Sequence, residues 1–445
     1  MKFNKKLSRT QLIALGFLLI IIVGTILLML PISSKNGEST NFLGALFTAT
    51  SATCVTGLIV FDTYTKWTVF GQLVILVLIQ IGGLGFVTIG VYGMTLLRKR
   101  IGLKDREFIH DSLNSLHVGG GVNLVKRVVK GTLLFEGLGA LILAIRFTGD
   151  FGLLKGIYYG IFHSVSAFCN AGFDLMGFMG EYCSLTGYYN DFVVNIVIIL
   201  LIIIGGLGFL VWDDISKNKL HFKKYMLHTK IVLSVTTLLL IGATVFFYFS
   251  EADTVFADMN FFDRFLSSAF ASVTPRTAGF NTVDIASMSA AGKLMTILLM
   301  FIGGSPGSTA GGVKTTSLAA IFFFILSYIK RQKSCNVYKR SLENDLIKKA
   351  STVFFINLTL AITALLVILL HQEFSFLDVA IEVFSAIGTV GMSAGITRDL
   401  SVVSKLVLIA LMYCGRVGNL SFALSFSESK KIADIRYPTE EILIG

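Results

Sequence analysis

Four stretches of this 445-residue sequence could do chemistry with their backbone. They are Val55-Thr56-Gly57-Leu58, Asn170-Ala171-Gly172-Phe173, Thr277-Ala278-Gly279-Phe280 and Thr389-Val390-Gly391-Met392. Each sets a glycine after a small or β-branched residue, and the glycines recur about every 110 residues. Like segments at even spacing signal internal repetition. The chemistry open to such loops is coordination of a dehydrated cation by carbonyl oxygens, which replace its hydration shell. Glycine allows the backbone angles that turn neighbouring carbonyls inward. No acidic ring occurs in the loops, and carbonyl coordination needs none.

Other chemistries lack their residues. The five cysteines (Cys54, Cys169, Cys183, Cys335, Cys414) are odd in number and contain no C-x-x-C, which argues against a disulfide framework or a zinc site. The six histidines show no H-E-x-x-H spacing. No Ser/His/Asp set or paired His/carboxylate constellation falls among the apolar stretches, so an intramembrane enzyme is rejected. The residues 303–316 hold Gly303, Gly304, Ser305, Pro306, Gly307, Ser308, Thr309, Ala310, Gly311, Gly312 and Lys314. A phosphate-binding loop fails there, because Val313 separates Gly312 from Lys314 and no strand precedes it. A flexible loop interrupting a membrane span below the four stretches fits better. Lys314 and the small polar residues argue against a plain packing kink.

The elements that position these residues follow from hydropathy. Hydrophobic residues make up 54% of the chain and charged ones 15%, with a mean hydropathy of +0.77, against about 25% charged in soluble domains. The net charge of +11 belongs to short loops and not to a nucleic-acid surface. Apolar runs long enough to span a bilayer alternate with short helical pieces at 41–52, 156–169, 262–273 and 378–387. The spans are 12–30 and 70–97; 133–147 and 192–212; 231–249 and a broken run from 294 to 329; 352–370 and 406–426. The fold class is therefore an all-α polytopic membrane protein of four span–pore-loop–span repeats, with eight transmembrane helices and four re-entrant helices about a pseudo-fourfold pore. The repeats cover residues 1–100, 101–216, 217–340, with the broken second span, and 341–445. Ile81-Gly82-Gly83-Leu84-Gly85-Phe86 returns as Ile204-Gly205-Gly206-Leu207-Gly208-Phe209, independent support for duplication.

Segments 1–10, 98–130, 217–230, 330–349 and 430–436 hold 27 of the 38 Lys and Arg residues. All five fall on one side of an eight-span topology, which places that side and both termini in the cytoplasm. Loops 98–130 and 330–349 are the candidates for partner docking. Re-entrant backbone at membrane depth survives only where it is buried or lines an aqueous cavity. The short helices enter from outside, and their C-terminal ends carry roughly half a negative charge each toward the axis.

Here the sequence resembles the Trk/Ktr/HKT superfamily of potassium transporters over essentially its whole length. Its size and its ending, Arg436-Tyr437-Pro438 to Ile444-Gly445, resemble the membrane subunit of bacterial Ktr systems. The resemblance implies a potassium filter lined by Val55, Thr56, Gly57, Asn170, Ala171, Gly172, Thr277, Ala278, Gly279, Thr389, Val390 and Gly391. Family members with serine at the first glycine position favour sodium, so Gly57 implies potassium, with sodium dependence left open. Ala171 and Ala278 stand where the fourth loop has Val390, which makes the filter asymmetric. The resemblance also implies a gating loop at 303–314, Arg416 lining the cytoplasmic part of the pore, a homodimer, and a cytoplasmic nucleotide-binding ring of RCK type. No cofactor is implied for this chain beyond the transported ion. From the residues alone, Arg416 either faces the bundle interior or snorkels to the inner surface. Glu136 and Glu382 read as satisfied by neighbours, His163 as a packed or capping residue, and Asp174 as a residue of the outer mouth. The competing class is an alternating-access cation symporter, built on discontinuous helices.

Overall fold

The computed structural model describes residues 9–97, 121–219 and 221–418, together with Pro438 and Glu440. Its helices fall into four consecutive groups. The first holds α1 (Arg9–Met29), α2 (Phe42–Thr53), the single turn α3 (Thr63–Lys66), α4 (Val69–Leu84) and α5 (Phe86–Leu96). The second holds α6 (Gly121–Phe151), α7 (Leu153–Phe168), α8 (Phe192–Leu207) and α9 (Phe209–Asn218). The third holds α10 (Leu227–Ser250), α11 (Phe261–Val273), α12 (Ala290–Phe301) and α13 (Thr315–Ile329). A small antiparallel hairpin, Asn336–Val337 with Arg340–Ser341, precedes α14 (Asn344–His371), α15 (Phe376–Gly388) and α16 (Val402–Val417).

Helices α1, α6, α10 and α14 are long and apolar enough to cross a membrane. Only 28% to 33% of their apolar windows are buried inside the protein. Leu19, Leu133, Leu238 and Leu370 point outward, a surface suited to contact with lipid. The fold is thus an all-helical, multi-pass membrane fold. The short helices α2, α7, α11 and α15 sit inside it, and most of their residues are buried. The helices that follow them start on the same device. Thr68, Asp191, Ser289 and Ser401 cap α4, α8, α12 and α16 by accepting from the N–H groups of Gly71, Val194, Gly292 and Ser404 at 3.3, 2.9, 3.0 and 3.2 Å. Each such cap contributes about 1 kcal/mol.

Two of the expected spans are not continuous. The runs 70–97 and 192–212 break at Gly85 and Gly208, and α4–α5 and α8–α9 bend by 89° and 96°. The cause is local: Gly85 and Gly208 sit at φ 79° and 96°, outside the helical region. At Gly208 the bend makes room for a neighbour. A methyl group there would lie 2.7 Å from the Pro306 carbonyl oxygen, and the Phe209 N–H donates to the Gly307 carbonyl at 2.7 Å. Helix α16 likewise ends at Gly418, φ 93°. Residues 419–426 of the last expected span lie outside the described residues, as do 98–120 and the tail 430–436. The stretch 121–130, expected as loop, belongs to α6.

Candidate ion-coordination site

Each short helix ends directly in one of the four glycine stretches, and the backbone of all four follows one rule. Val55, Asn170, Thr277 and Thr389 take left-handed φ values of 57°, 59°, 72° and 52°. Two residues later, Gly57, Gly172, Gly279 and Gly391 take φ 90°, 70°, 79° and 94°. In an ordinary strand successive carbonyls alternate in direction, and interleaved left-handed residues remove that alternation. A non-glycine residue held there costs about 1–3 kcal/mol, so the surroundings must enforce it.

They do so with hydrogen bonds from the helix ends. The N–H groups of Thr56, Ala171 and Val390 donate to the carbonyls of Ser51, Ser166 and Ser385, each at 2.8 Å. The Ser51 and Ser385 hydroxyls accept from the N–H groups of Gly57 and Gly391, each at 3.0 Å. Ser166 Oγ donates to the Phe173 carbonyl at 2.7 Å, and Thr274 Oγ1 to that of Phe280 at 2.5 Å. Sequence reading missed these braces. Their only trace is a serine six residues before the glycine in three of the four stretches.

The stretches close on one another. A methyl group added at Gly57 would lie 2.3 Å from the Ala171 carbonyl oxygen, and at Gly172 2.6 Å from that of Ala278. At Gly279 it would lie 2.5 Å from the Val390 oxygen, and at Gly391 2.1 Å from the Thr56 oxygen. Each glycine thus faces the carbonyl just before the next glycine, and the fourth returns to the first. The Thr56 and Thr389 hydroxyls are buried with no protein partner. A cavity of about 340 Å³ opens on one side of this ring, lined by all four glycines and by Asp174, Ser393, Thr397 and Arg398. A second cavity, of about 210 Å³, is lined by Gly83, Gly307, Ala310, Gly312, Lys314 and Arg416.

The interrupted segment lies between ring and second cavity. The Gly303 N–H donates to the Val313 carbonyl at 2.8 Å, pinching the loop at its neck. Ser305 and Thr309 N–H groups donate to Gly206 and Gly205 carbonyls at 3.0 and 3.3 Å. Thr309 Oγ1 lies 3.3 Å from both the Phe168 carbonyl and Asn170 Oδ1, and Gly311 abuts the Thr389 side chain. Arg416 is bound to protein: it donates to the carbonyls of Thr309 and Gly82, and to that of Gly83 at 3.0 Å. Lys314 Nζ donates to the carbonyls of Ala310 and Gly311 at 2.6 and 3.3 Å.

Other expected residues divide cleanly. Asn170 contributes backbone to the ring, while its amide donates to Thr277 Oγ1 at 3.2 Å. Glu382 is buried and accepts from Ser393 and Thr397, and Glu136 accepts from Gln80 Nε2 at 3.2 Å. His163 packs, bonded to Tyr159 and Leu175. Asp174 lines the first cavity and accepts from the Met176 N–H at 2.9 Å. Arg276, one residue before the third stretch, is 7% exposed, and its guanidinium donates to Thr236 Oγ1 at 3.4 Å. No group of three or more His, Cys, Asp or Glu side chains placed to hold a metal occurs among the described residues.

The chain is 41% identical to the potassium/sodium uptake protein NtpJ of Enterococcus hirae, across 100% of this chain and 99% of that one. It is equally 41% identical to the Ktr system potassium uptake protein B of Bacillus subtilis, covering 98% and 96% of the two chains. Among solved structures, the potassium transporter TrkH from Vibrio parahaemolyticus superposes with a TM-score of 0.75 at 18% identity, over 96% of this chain and 86% of that one, which is a likeness of fold. The profile of one family, TrkH, described as a cation transport protein, matches residues 4–435, nearly the entire chain. This chain, with its ring of glycine loops between two cavities, belongs to the TrkH family of cation transport proteins.

Proposed function

We propose that this protein carries potassium into the cell through a channel-like pore whose selectivity filter is the ring of four glycine stretches. The observation that carries the reading is the closure of that ring, glycine to neighbouring carbonyl, in the same register at all four positions. A cation entering the outer cavity sheds water and takes up carbonyl oxygens of Val55, Thr56, Asn170, Ala171, Thr277, Ala278, Thr389 and Val390. The C-terminal ends of α2, α7, α11 and α15 lie at the ring and add their partial negative charge. The four groups of helices are repeats spanning 1–100, 101–216, 217–340 and 341–445, and both termini lie in the cytoplasm, supported by the clustering of Lys and Arg on one side. The loop from Gly303 to Lys314 is the gate, held by Arg416. The names of the two uptake proteins support potassium as substrate, and the first supports sodium as a second ion. The Ktr name supports a separate regulatory subunit, here an RCK-type nucleotide-binding ring docked on a homodimer of this chain.

Cells lacking their own potassium uptake test this. Expression of this chain with a Ktr regulatory subunit is expected to restore growth at low potassium, and failure despite membrane-inserted protein would overturn the reading. The bends at Gly85 and Gly208 favour a second reading, an alternating-access symporter, because discontinuous helices build such carriers. Flux that saturates at low turnover would select it.

A further inference from the structure

The outer ends of the four stretches are braced in two different ways, and the pattern is twofold. On α15, Glu382 lies nine residues before Gly391 and is fully buried. Its carboxyl accepts from Ser393 Oγ at 2.5 Å and from Thr397 Oγ1 at 2.7 Å, and both hydroxyls belong to the segment that leaves the fourth stretch. On α7, His163 lies nine residues before Gly172, again fully buried. Its Nδ1 pairs with the Tyr159 carbonyl at 2.8 Å, so Nδ1 carries the proton and Nε2 is left to accept. Nε2 accepts the Leu175 N–H at 3.3 Å, in the segment that leaves the second stretch. The matching positions on α2 and α11 are Thr48 and Phe270. Thr48 bonds back to Gly44 at 2.9 Å, and phenylalanine has no polar atom to offer.

Beyond the Ser51 and Thr274 braces at their helix ends, the exits of the first and third stretches are held by a neighbouring segment, residues 182–185. The Tyr182 N–H donates to Asp62 Oδ2 at 3.1 Å, and the Tyr182 hydroxyl to the Val60 carbonyl at 3.3 Å, just beyond the first stretch. Ser184 Oγ accepts the Asn281 N–H at 3.1 Å, and the Leu185 N–H donates to the Asn281 carbonyl at 2.9 Å, just beyond the third. The ring order runs first, second, third, fourth, so the two stretches with a buried acceptor nine residues before the glycine face each other across the axis. Ser393, Thr397 and Asp174 on those segments line the outer cavity.

We infer that Glu382 and His163 are positioning residues that fix the outer layer of carbonyls on one diagonal of the filter and thereby set its discrimination between potassium and sodium. Neither touches the ion. His163 acts through the Leu175 N–H and Glu382 through the Ser393 and Thr397 hydroxyls. Removing a buried acceptor leaves its donors unsatisfied, so the segment must shift to repair the bonds. The inference rests on the ring being the filter, and its test separates the two.

Potassium and sodium uptake are measured for Glu382→Gln, His163→Phe and His163→Gln, with Gly57→Ser alongside, each normalised to membrane-inserted protein and checked by thermal unfolding in detergent. A carboxamide keeps one acceptor oxygen where Glu382 uses two. Phenylalanine keeps ring volume without an acceptor, and glutamine restores one. The expected result is a potassium-to-sodium ratio lowered severalfold in Glu382→Gln and His163→Phe, largely restored in His163→Gln, with unfolding midpoints near the parent's. Should Glu382→Gln fail to insert, Thr397→Ala replaces it and is expected to lower the ratio by a smaller factor. A ratio that moves in Gly57→Ser and stays at the parent value in the brace variants overturns this inference alone. A ratio unmoved in all of them overturns the filter reading with it.

Discussion

Replacing Gly57 with serine is expected to lower the preference for potassium over sodium by about tenfold or more, a difference of about 1.4 kcal/mol. Gly57 sits at φ 90°, and its would-be Cβ lies 2.3 Å from the Ala171 carbonyl oxygen. A side chain there brings two penalties. The left-handed conformation costs about 1–3 kcal/mol for a residue other than glycine. The contact with Ala171 cannot be relieved by rotating a side chain, because the obstructing atom is backbone. The Ala171 carbonyl must therefore move, and it is one of the proposed ligands. A filter that discriminates by the number and field of its carbonyls loses one of them, and the smaller, more strongly hydrated sodium ion gains relative access. The measurement compares uptake of the two ions in cells without other potassium uptake. Unchanged preference at normal expression would remove Gly57 from the filter.

The second large effect concerns the loop below the ring. Deleting Ser308, Thr309 and Ala310 is expected to raise basal potassium flux severalfold and to uncouple it from the cytoplasmic partner. The deletion removes the Thr309 carbonyl that Arg416 holds, the Ala310 carbonyl that Lys314 holds, and bulk that separates ring from second cavity. It also removes the Thr309 hydroxyl beside Asn170 Oδ1 and the Phe168 carbonyl. The loop is thus bonded to the second stretch, and a modest fall in selectivity accompanies the rise in flux. The fall should be much smaller than that of Gly57→Ser, since the Asn170 backbone keeps its tie from the Ala171 N–H to Ser166. Flux in liposomes with and without the regulatory subunit reads both quantities. A folded deletion variant with no flux, or with selectivity as poor as Gly57→Ser, would end the gating proposal.

Much of the architecture was legible because hydropathy dictates it. Long apolar runs must span, and glycine at a fixed interval in four such settings marks equivalent backbone. The bends at Gly85 and Gly208 were not legible. The hydropathy runs straight through them, and Gly82 and Gly83, helical in the same motif, look no different in sequence from Gly85. At Gly208 a tertiary contact accompanies the positive φ: that bend receives the Pro306 and Gly307 carbonyls of a loop about a hundred residues away, while nothing lies within 4 Å of a Cβ built at Gly85. The left-handed angles of Val55, Thr277 and Thr389 are likewise imposed from outside, since a β-branched residue's own preference is the opposite. Arg416 advertised its importance by its cost in a membrane, but not its partners. Those are backbone carbonyls of Gly82, Gly83 and Thr309, groups every residue possesses and no sequence distinguishes. Glu382 read as a satisfied carboxyl, and it is one. That its partners lie just beyond the glycine stretch is visible only once α15 and its loop are folded.

The most direct test of the filter is ion flux through the purified protein in liposomes under a potassium gradient, with sodium as competitor and Gly57→Ser as control. Potassium flux exceeding sodium flux by about tenfold or more in the parent, and falling toward parity in Gly57→Ser, is the expected result. Equal flux of the two ions in the parent, or a parent preference that Gly57→Ser leaves intact, would contradict a filter built from the four glycine stretches.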